Sequence, residues 1–337
     1  MSIKAPLEPP MQAPRGAPPD VSVVVTTYRA VEHLRCCVRS LLGTSDPAGI
    51  EVAIWGDGGG DASREAILRS AAELRDAGFR VAAHYEPKNE GIARALNRAA
   101  TMASGTWLYV VNDDMAFPRS WWDRGKPLLE PRRVLGTSAA EPPVPGRRRA
   151  DCFHTLDLGT DPVAFEAGGL DAFQESLPPG PLEPGVNYPF YVERDVFFEV
   201  GGADERFPGP YHDPDLFLRL KLAGVELRRA NHLVLYHFSG ASLRYGARAS
   251  GARGRQTFDW VLRENEARLE FVRKWGAKPA TRFGYVPRTR ATEPWEGRPH
   301  GPIETLRYRA LMAWEALRAA VRERRYRRGS RSATDGA

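Results

Sequence analysis

Four short apolar runs, each followed by sequence of helical period, constrain this chain to a layered α/β fold. Val21-Ser22-Val23-Val24-Val25, Glu51 to Trp55, Arg80 to Tyr85 and Trp107 to Val111 are strand-length and apolar, so they read as strands. Between them Val31, Leu34, Val38, Leu41 and Leu42 share one helical face, which Gly43 ends. A second helix, about Ser63 to Ala77, carries Ile67, Ala71 and Leu74 inward and stops at Gly78; an Ala-rich third, Glu90 to Ala103, stops at Gly105. This alternation predicts a mostly parallel, Rossmann-like sheet with flanking helices.

In open α/β sheets, ligands sit beyond the carboxyl ends of the strands. Two acidic turns fall there: Asp57-Gly58-Gly59-Gly60-Asp61 after the second strand and Asn112-Asp113-Asp114 after the fourth. Each alone is ordinary turn sequence. Two at neighbouring strand ends point to a pocket, where a carboxylate can hold a hard divalent cation against a diphosphate. Farther on, His212-Asp213-Pro214-Asp215 opens a helix that runs to Leu222, with Pro214 suited to its first turn. Asp213 is expected to cap that helix. Capping bonds would also lower its basicity, which leaves Asp215 as a rival base. His237 ends a strand, Leu233 to Phe238, ahead of Ser239-Gly240, and imidazole is a competent ligand for Mn²⁺.

Elsewhere the pattern weakens. Residues 141–187 are rich in Pro and Gly and hold Arg147-Arg148-Arg149, so a long loop is expected, of the kind that forms lids or binding loops. Regularity returns at Tyr188 to Val192, a short helix from Arg194 to Val200, and a helix from Gln256 to Trp275. Residues 1–20, rich in Pro and Ala, are expected to be disordered. Three cysteines, two of them adjacent, make no disulfide framework and suit a reducing compartment. No apolar run approaches the roughly 18 residues of a membrane span, and no signal-peptide core is visible, so a cytoplasmic location is expected.

The formal charge of +6 is confined to the tail: Ile303 to Arg331 holds nine Arg and three Glu, leaving the rest neutral. The body therefore lacks the basic field of a nucleic-acid binder. On a helix of about 303–328, Ile303, Leu306, Ala310, Trp314, Leu317 and Val321 form one apolar stripe. Two readings stay open: a peripheral membrane contact through residues 303–331 on the inner face, or a basic helix packed on the body.

The motifs, in order, resemble the family 2 glycosyltransferases, inverting enzymes with a GT-A fold, over about residues 20–276. Val21 to Tyr28 resembles the opening strand and turn; Asp57-Gly58 the nucleotide-binding turn; Asn89-Glu90-Gly91 with Asn97 the helix entry; Asn112-Asp113-Asp114 the Asp-x-Asp metal motif. Gly201-Gly202-Ala203-Asp204-Glu205-Arg206-Phe207, the Asp213 segment with Arg219, His237-Phe238-Ser239-Gly240 and Lys274-Trp275-Gly276 follow. Gly56, Asn112 and His212 depart from the family's acidic residues, and Leu96 from its Arg; Asn112 is similar to rhamnosyltransferase-like members.

The resemblance implies a nucleotide-binding half (21–115), an acceptor half (116–276) and a C-terminal extension (277–337). It implies a nucleoside diphosphate sugar donor held by Thr26, Thr27, Tyr28, Asp57, Asn89, Gly91, Arg94, Asn112 and Asp113. It also implies Mg²⁺ or Mn²⁺ on Asp114 and His237, Asp213 as base, and a carbohydrate or lipid-linked acceptor. A non-catalytic sugar-nucleotide binder and a sugar-1-phosphate nucleotidyltransferase are the alternatives. The latter lacks support in the Thr-Thr-Tyr turn after Val25, where a Gly-rich basic loop is usual.

Overall fold

The computed structural model describes residues 18–143, 153–207, 209–238, 257–279, 294–296 and 299–334. The expectations for the N-terminal segment as far as residue 17, for Arg147-Arg148-Arg149 and for Ser239-Gly240 lie outside the described residues.

The expected alternation holds element by element in the first half. β1 (Val21–Thr27), α1 (Val31–Thr44), β2 (Ile50–Asp57), α2 (Asp61–Asp76), β3 (Arg80–Glu86), α3 (Ile92–Met102) and β4 (Trp107–Asn112) succeed one another along the chain. Val21, Val23 and Val25 of β1 point into a core shared with α1 and α2. Val24 points into a second core under α3, so β1 is buried on both faces. The alanines at 93, 95, 99 and 100 are buried and let α3 lie close to the sheet.

After β4 come β5 (Met115–Ala116), α4 (Trp121–Gly125), β6 (Arg133–Glu141), β7 (Phe153–Thr155), α5 (Gly168–Ser176), β8 (Glu183–Pro184) and β9 (Phe190–Glu193). α6 (Arg194–Glu199), α7 (His212–Leu222), β10 (Glu226–His237), α8 (Phe258–Trp275) and α9 (Pro302–Thr334) complete the described chain. The strands form one sheet in the order β3-β2-β1-β4-β9-β6-β10-β5, with β7 beside β6 and β8 beside β10. β1 to β4 are parallel where they pair, β9 runs antiparallel to β4 and β6, and β6 and β10 are again parallel.

The structure corrects two expectations. β6 has no counterpart in the apolar pattern, and its last residue, Glu141, is the first of the supposed 141–187 loop. That stretch also contributes core: Leu170, Val186 and Asn187 are fully buried, and Phe165 nearly so. Phe165 and Leu170 pack with Tyr236 and Phe238 in a third apolar cluster. Among the described residues no helix is long and apolar enough to cross a membrane.

Candidate active site

The chain directions of the sheet bring the chemistry to one edge. β1, β2, β4, β6 and β10 end there with Thr27, Asp57, Asn112, Glu141 and His237, while antiparallel β9 begins there. Thr26 pairs with Asn112 across β1 and β4. Val110 pairs with Phe190, the first residue of β9, and Tyr188 lies two residues before that strand.

Asp57 is nearly saturated. Its Oδ1 accepts the Glu90 amide at 2.8 Å; its Oδ2 accepts the Gly91 amide at 2.9 Å and Asn89 Nδ2 at 3.0 Å. Burial raises its pKa against the pull of those amides. One acceptor position on Oδ1 is left for a ligand donor. Gly58 makes the turn possible: its φ is +88°, and a Cβ there would sit 3.1 Å from the Asn89 amide nitrogen. Gly56 lies on the opposite face. A Cβ there would overlap Ile67 Cδ1 and approach Tyr85, so the space an acidic side chain would take is filled by core.

Asp113 and Asp114 follow β4 and are buried side by side. Asp113 accepts from the Thr27 hydroxyl and the Tyr28 amide; burial first, and then the Asp114 charge, push its pKa up. Its Oδ2 is buried and, among the described residues, without a hydrogen-bond partner. Asp114 Oδ1 lies 3.3 Å from His237 Nε2, and His237 Nδ1 lies 2.7 Å from Glu141 Oε1. Burial opposes a charge on His237, yet the two carboxylates overrule it and lift its pKa to about 10.

This group suits a divalent cation. An orphaned carboxylate oxygen sits beside a carboxylate–imidazole pair, and Glu141 orients the ring as outer carboxylates do for metal-ligating histidines. Among the described residues no three such side chains form a closed cage. Glu141 is a site residue that sequence reasoning misses, because nothing in spacing links it to His237.

Asp213 is not the helix cap. α7 begins at His212, two residues earlier than an Asp213 cap would start it, and its cap is Tyr211 in a left-handed conformation, φ 74°, with no side-chain capping bond. The Asp213 carboxylate, half-buried in the first turn, receives only its own backbone amide among the described residues, and burial raises its pKa. Its charge is felt at Tyr188, which neighbours His212. That phenol lies 3.4 Å from His212 Nε2, and burial and then the Asp213 charge push its pKa well up.

Asp215 is fully buried and spoken for. It binds Arg219 Nε at 2.8 Å, Lys274 Nζ at 2.6 Å and Trp275 Nε1 at 2.9 Å. Burial would raise its pKa, but Arg219 and Lys274 hold it below the usual range. Lys274 also reaches Asp204 at 2.8 Å, and Arg219 donates to the Val200 and Gly202 carbonyls. Asn97 exchanges bonds with the Ala203 backbone, and Arg94 pairs with Glu90 and Glu205. Asn97, Arg94 and the 201–207, Asp215–Arg219 and Lys274-Trp275 motifs thus form a structural brace behind the open carboxylate.

A mostly parallel sheet interrupted internally by antiparallel β9, with acids at its carboxyl edge, defines the GT-A class of glycosyltransferase fold. Mannosyltransferase PcManGT from Pyrobaculum calidifontis, in complex with GDP-Man and Mn²⁺, shares it with a TM-score of 0.51 at 14% identity, over 90% of this chain and 74% of that one. Residues 22–149 match the family model described as glycosyl transferase family 2. S. aureus TarS 1-349 in complex with UDP aligns with a TM-score of 0.46 at 14% identity, covering 75% of this chain. This chain spans 65% of the length of that TarS structure. No curated protein matches the sequence.

Proposed function

We propose that this protein is an inverting glycosyltransferase that moves a sugar from a nucleoside diphosphate sugar to an acceptor hydroxyl. The observation that carries the reading is the division of labour among carboxylates. Asp57, Asp204 and Asp215 are engaged by donors from other residues, whereas among the described residues Asp213 receives only its own amide and Asp113 Oδ2 receives no donor. The family match and the fold support the same reaction class.

Thr26, Thr27, Tyr28, Asp57, Asn89, Gly91 and Asn112 surround the donor, with Asp57 offering its remaining acceptor position to the nucleobase; Arg94, expected there too, belongs to the brace through Glu90 and Glu205. Asp114 and His237 would hold Mg²⁺ or Mn²⁺, which when bound offsets the charge developing on a departing diphosphate. Asp113 would face the donor sugar or an outer water. Asp213 removes the acceptor proton as that oxygen attacks the anomeric carbon. The bond to the diphosphate breaks on the opposite side, and configuration inverts. Its raised pKa and open lone pairs suit a base, and positioned bases contribute ~10²–10⁴-fold. Asn112 is compatible with a deoxyhexosyl donor of the rhamnosyl kind, and the acceptor is a carbohydrate or a lipid-linked one.

Donor turnover with Mn²⁺, measured as released nucleoside diphosphate, tests the reading. Asp213→Asn should lose at least ~10²-fold in kcat while still binding nucleotide. Normal turnover by that variant removes Asp213 as base. Nucleotide binding without turnover of any donor by the unaltered chain would instead indicate a non-catalytic binder.

A further inference from the structure

α9 meets the rest of the molecule with the wrong face for a helix held by apolar packing. Glu315 is buried against Arg268 at 2.6 Å, Asn265 reaches Glu323 at 3.1 Å, Arg322 binds Glu264 at 2.5 Å, and Tyr326 stacks on Phe258. These contacts hold one side of α9 to α8. The apolar stripe lies on the opposite side. Ile303 is 68% exposed, Leu306 69%, Trp314 57%, Leu317 58% and Val321 39%. The stripe runs about 27 Å at 1.5 Å per residue. By helical spacing, Arg307, Arg318 and Arg325 line one flank of it and Arg324 the other. The three glutamates of α9 turn elsewhere: Glu315 and Glu323 to α8, and Glu304 to the Gly301 amide.

We propose that this face docks on an anionic lipid surface. A helix that presents an apolar stripe flanked by arginines lies in the membrane interface, with the stripe among the acyl chains and the guanidiniums at anionic headgroups. Charge complementarity selects this occupant over a second copy of the chain. Two such faces brought together would set arginine rows against each other with no acid between them. The inference is independent of the sugar-transfer reading, because it uses no residue of the candidate site. Its consequence for the site is geometric. Arg322 of α9 grips Glu264 and Asn265, and their neighbour Arg263 reaches Asn89 beside Asp57 at 3.3 Å. A single helix thus stands between the docked face and the donor pocket.

Flotation of the full chain with phosphatidylcholine vesicles, with and without phosphatidylglycerol, tests this. Binding should require the anionic lipid and weaken with added salt. Leu306→Glu with Leu317→Glu, and separately Arg307→Glu, Arg324→Glu and Arg325→Glu together, should each lower partitioning by at least roughly tenfold. Because α9 holds to α8 by its other side, both variants should keep the wild-type circular dichroism and melting midpoint, which separates lost docking from lost folding. Equal binding to neutral vesicles, absence of binding, or undiminished binding by both variants overturns the proposal. So does a solution dimer that Leu306→Glu with Leu317→Glu dissociates.

Discussion

At the residue scale, Glu141 and Gly56 show how function and packing trade positions at a sheet edge. No motif singles out Glu141, yet its carboxylate fixes His237 Nδ1 and leaves Nε2 beside Asp114. Outer carboxylates of this kind typically change metal affinity by ~10–100-fold. Glu141→Gln should therefore weaken Mn²⁺ binding by that order, read by calorimetry with a nucleoside diphosphate present, while the melting midpoint without metal moves little. Gly56 stands where relatives carry an acid, and the structure gives the reason: Ile67 occupies the space. Gly56→Asp should destabilise by about 1–3 kcal/mol as an overpacked site does. Ile67→Ala in the same chain should recover part of that loss, and denaturant unfolding of the two variants measures it.

At the element scale, the brace of α7, α8 and the 201–207 turn is electrostatic where the rest of the core is apolar. Lys274 sits between Asp204 and Asp215, all three nearly or fully buried. Removing one partner of such a group leaves buried charge uncompensated, so Lys274→Met should cost about 3–5 kcal/mol at neutral pH. Both carboxylates have pKa values held below the ordinary range, against the opposing effect of burial, by Arg206 and Lys274 at Asp204 and by Arg219 and Lys274 at Asp215. A folded pKa below the unfolded one means the stabilisation is whole above about pH 4 and is lost as pH falls through the folded values. The gap between wild type and Lys274→Met should therefore narrow in acid, as urea unfolding across pH will read.

The same elements show what is legible in the sequence. β1 and β2 are plain, because strands buried on both faces need continuous apolar runs. β6 is hidden: Gly136, Thr137, Ser138, Ala139 and Ala140 carry no apolar run. They are small because the Asn187 backbone lies 2.9 Å from where a Gly136 Cβ would be, and because Asn187 and Tyr109 satisfy Thr137. Asp213 is displaced from the cap because α7 starts two residues early, a shift that contacts of His212 with Gly209 and Tyr188 favour. The stripe on α9 is visible in the spacing, but periodicity cannot say which side of a helix faces the body. Ion pairs to α8 decide that.

At the scale of the whole molecule, the site is assembled from strand ends separated by most of the chain, so ligand binding and global stability are linked. A ligand that binds only the folded state adds stability of RT ln(1 + [L]/Kd), about 2.7 kcal/mol at a hundredfold excess over Kd. A nucleoside diphosphate with Mn²⁺ should then raise the melting midpoint by several degrees. The pattern across variants is the informative part. Asp114→Ala should erase the Mn²⁺-dependent share of the shift, because Asp114 pairs with His237 at the edge where the cation would sit. Asp213→Asn should keep the full shift while losing turnover if Asp213 is the proposed base, because it bonds to no group of that edge among the described residues. If Asp213→Asn lost the shift and Asp114→Ala kept it, the assignment of donor side and acceptor side to the two ends of this sheet edge would be reversed.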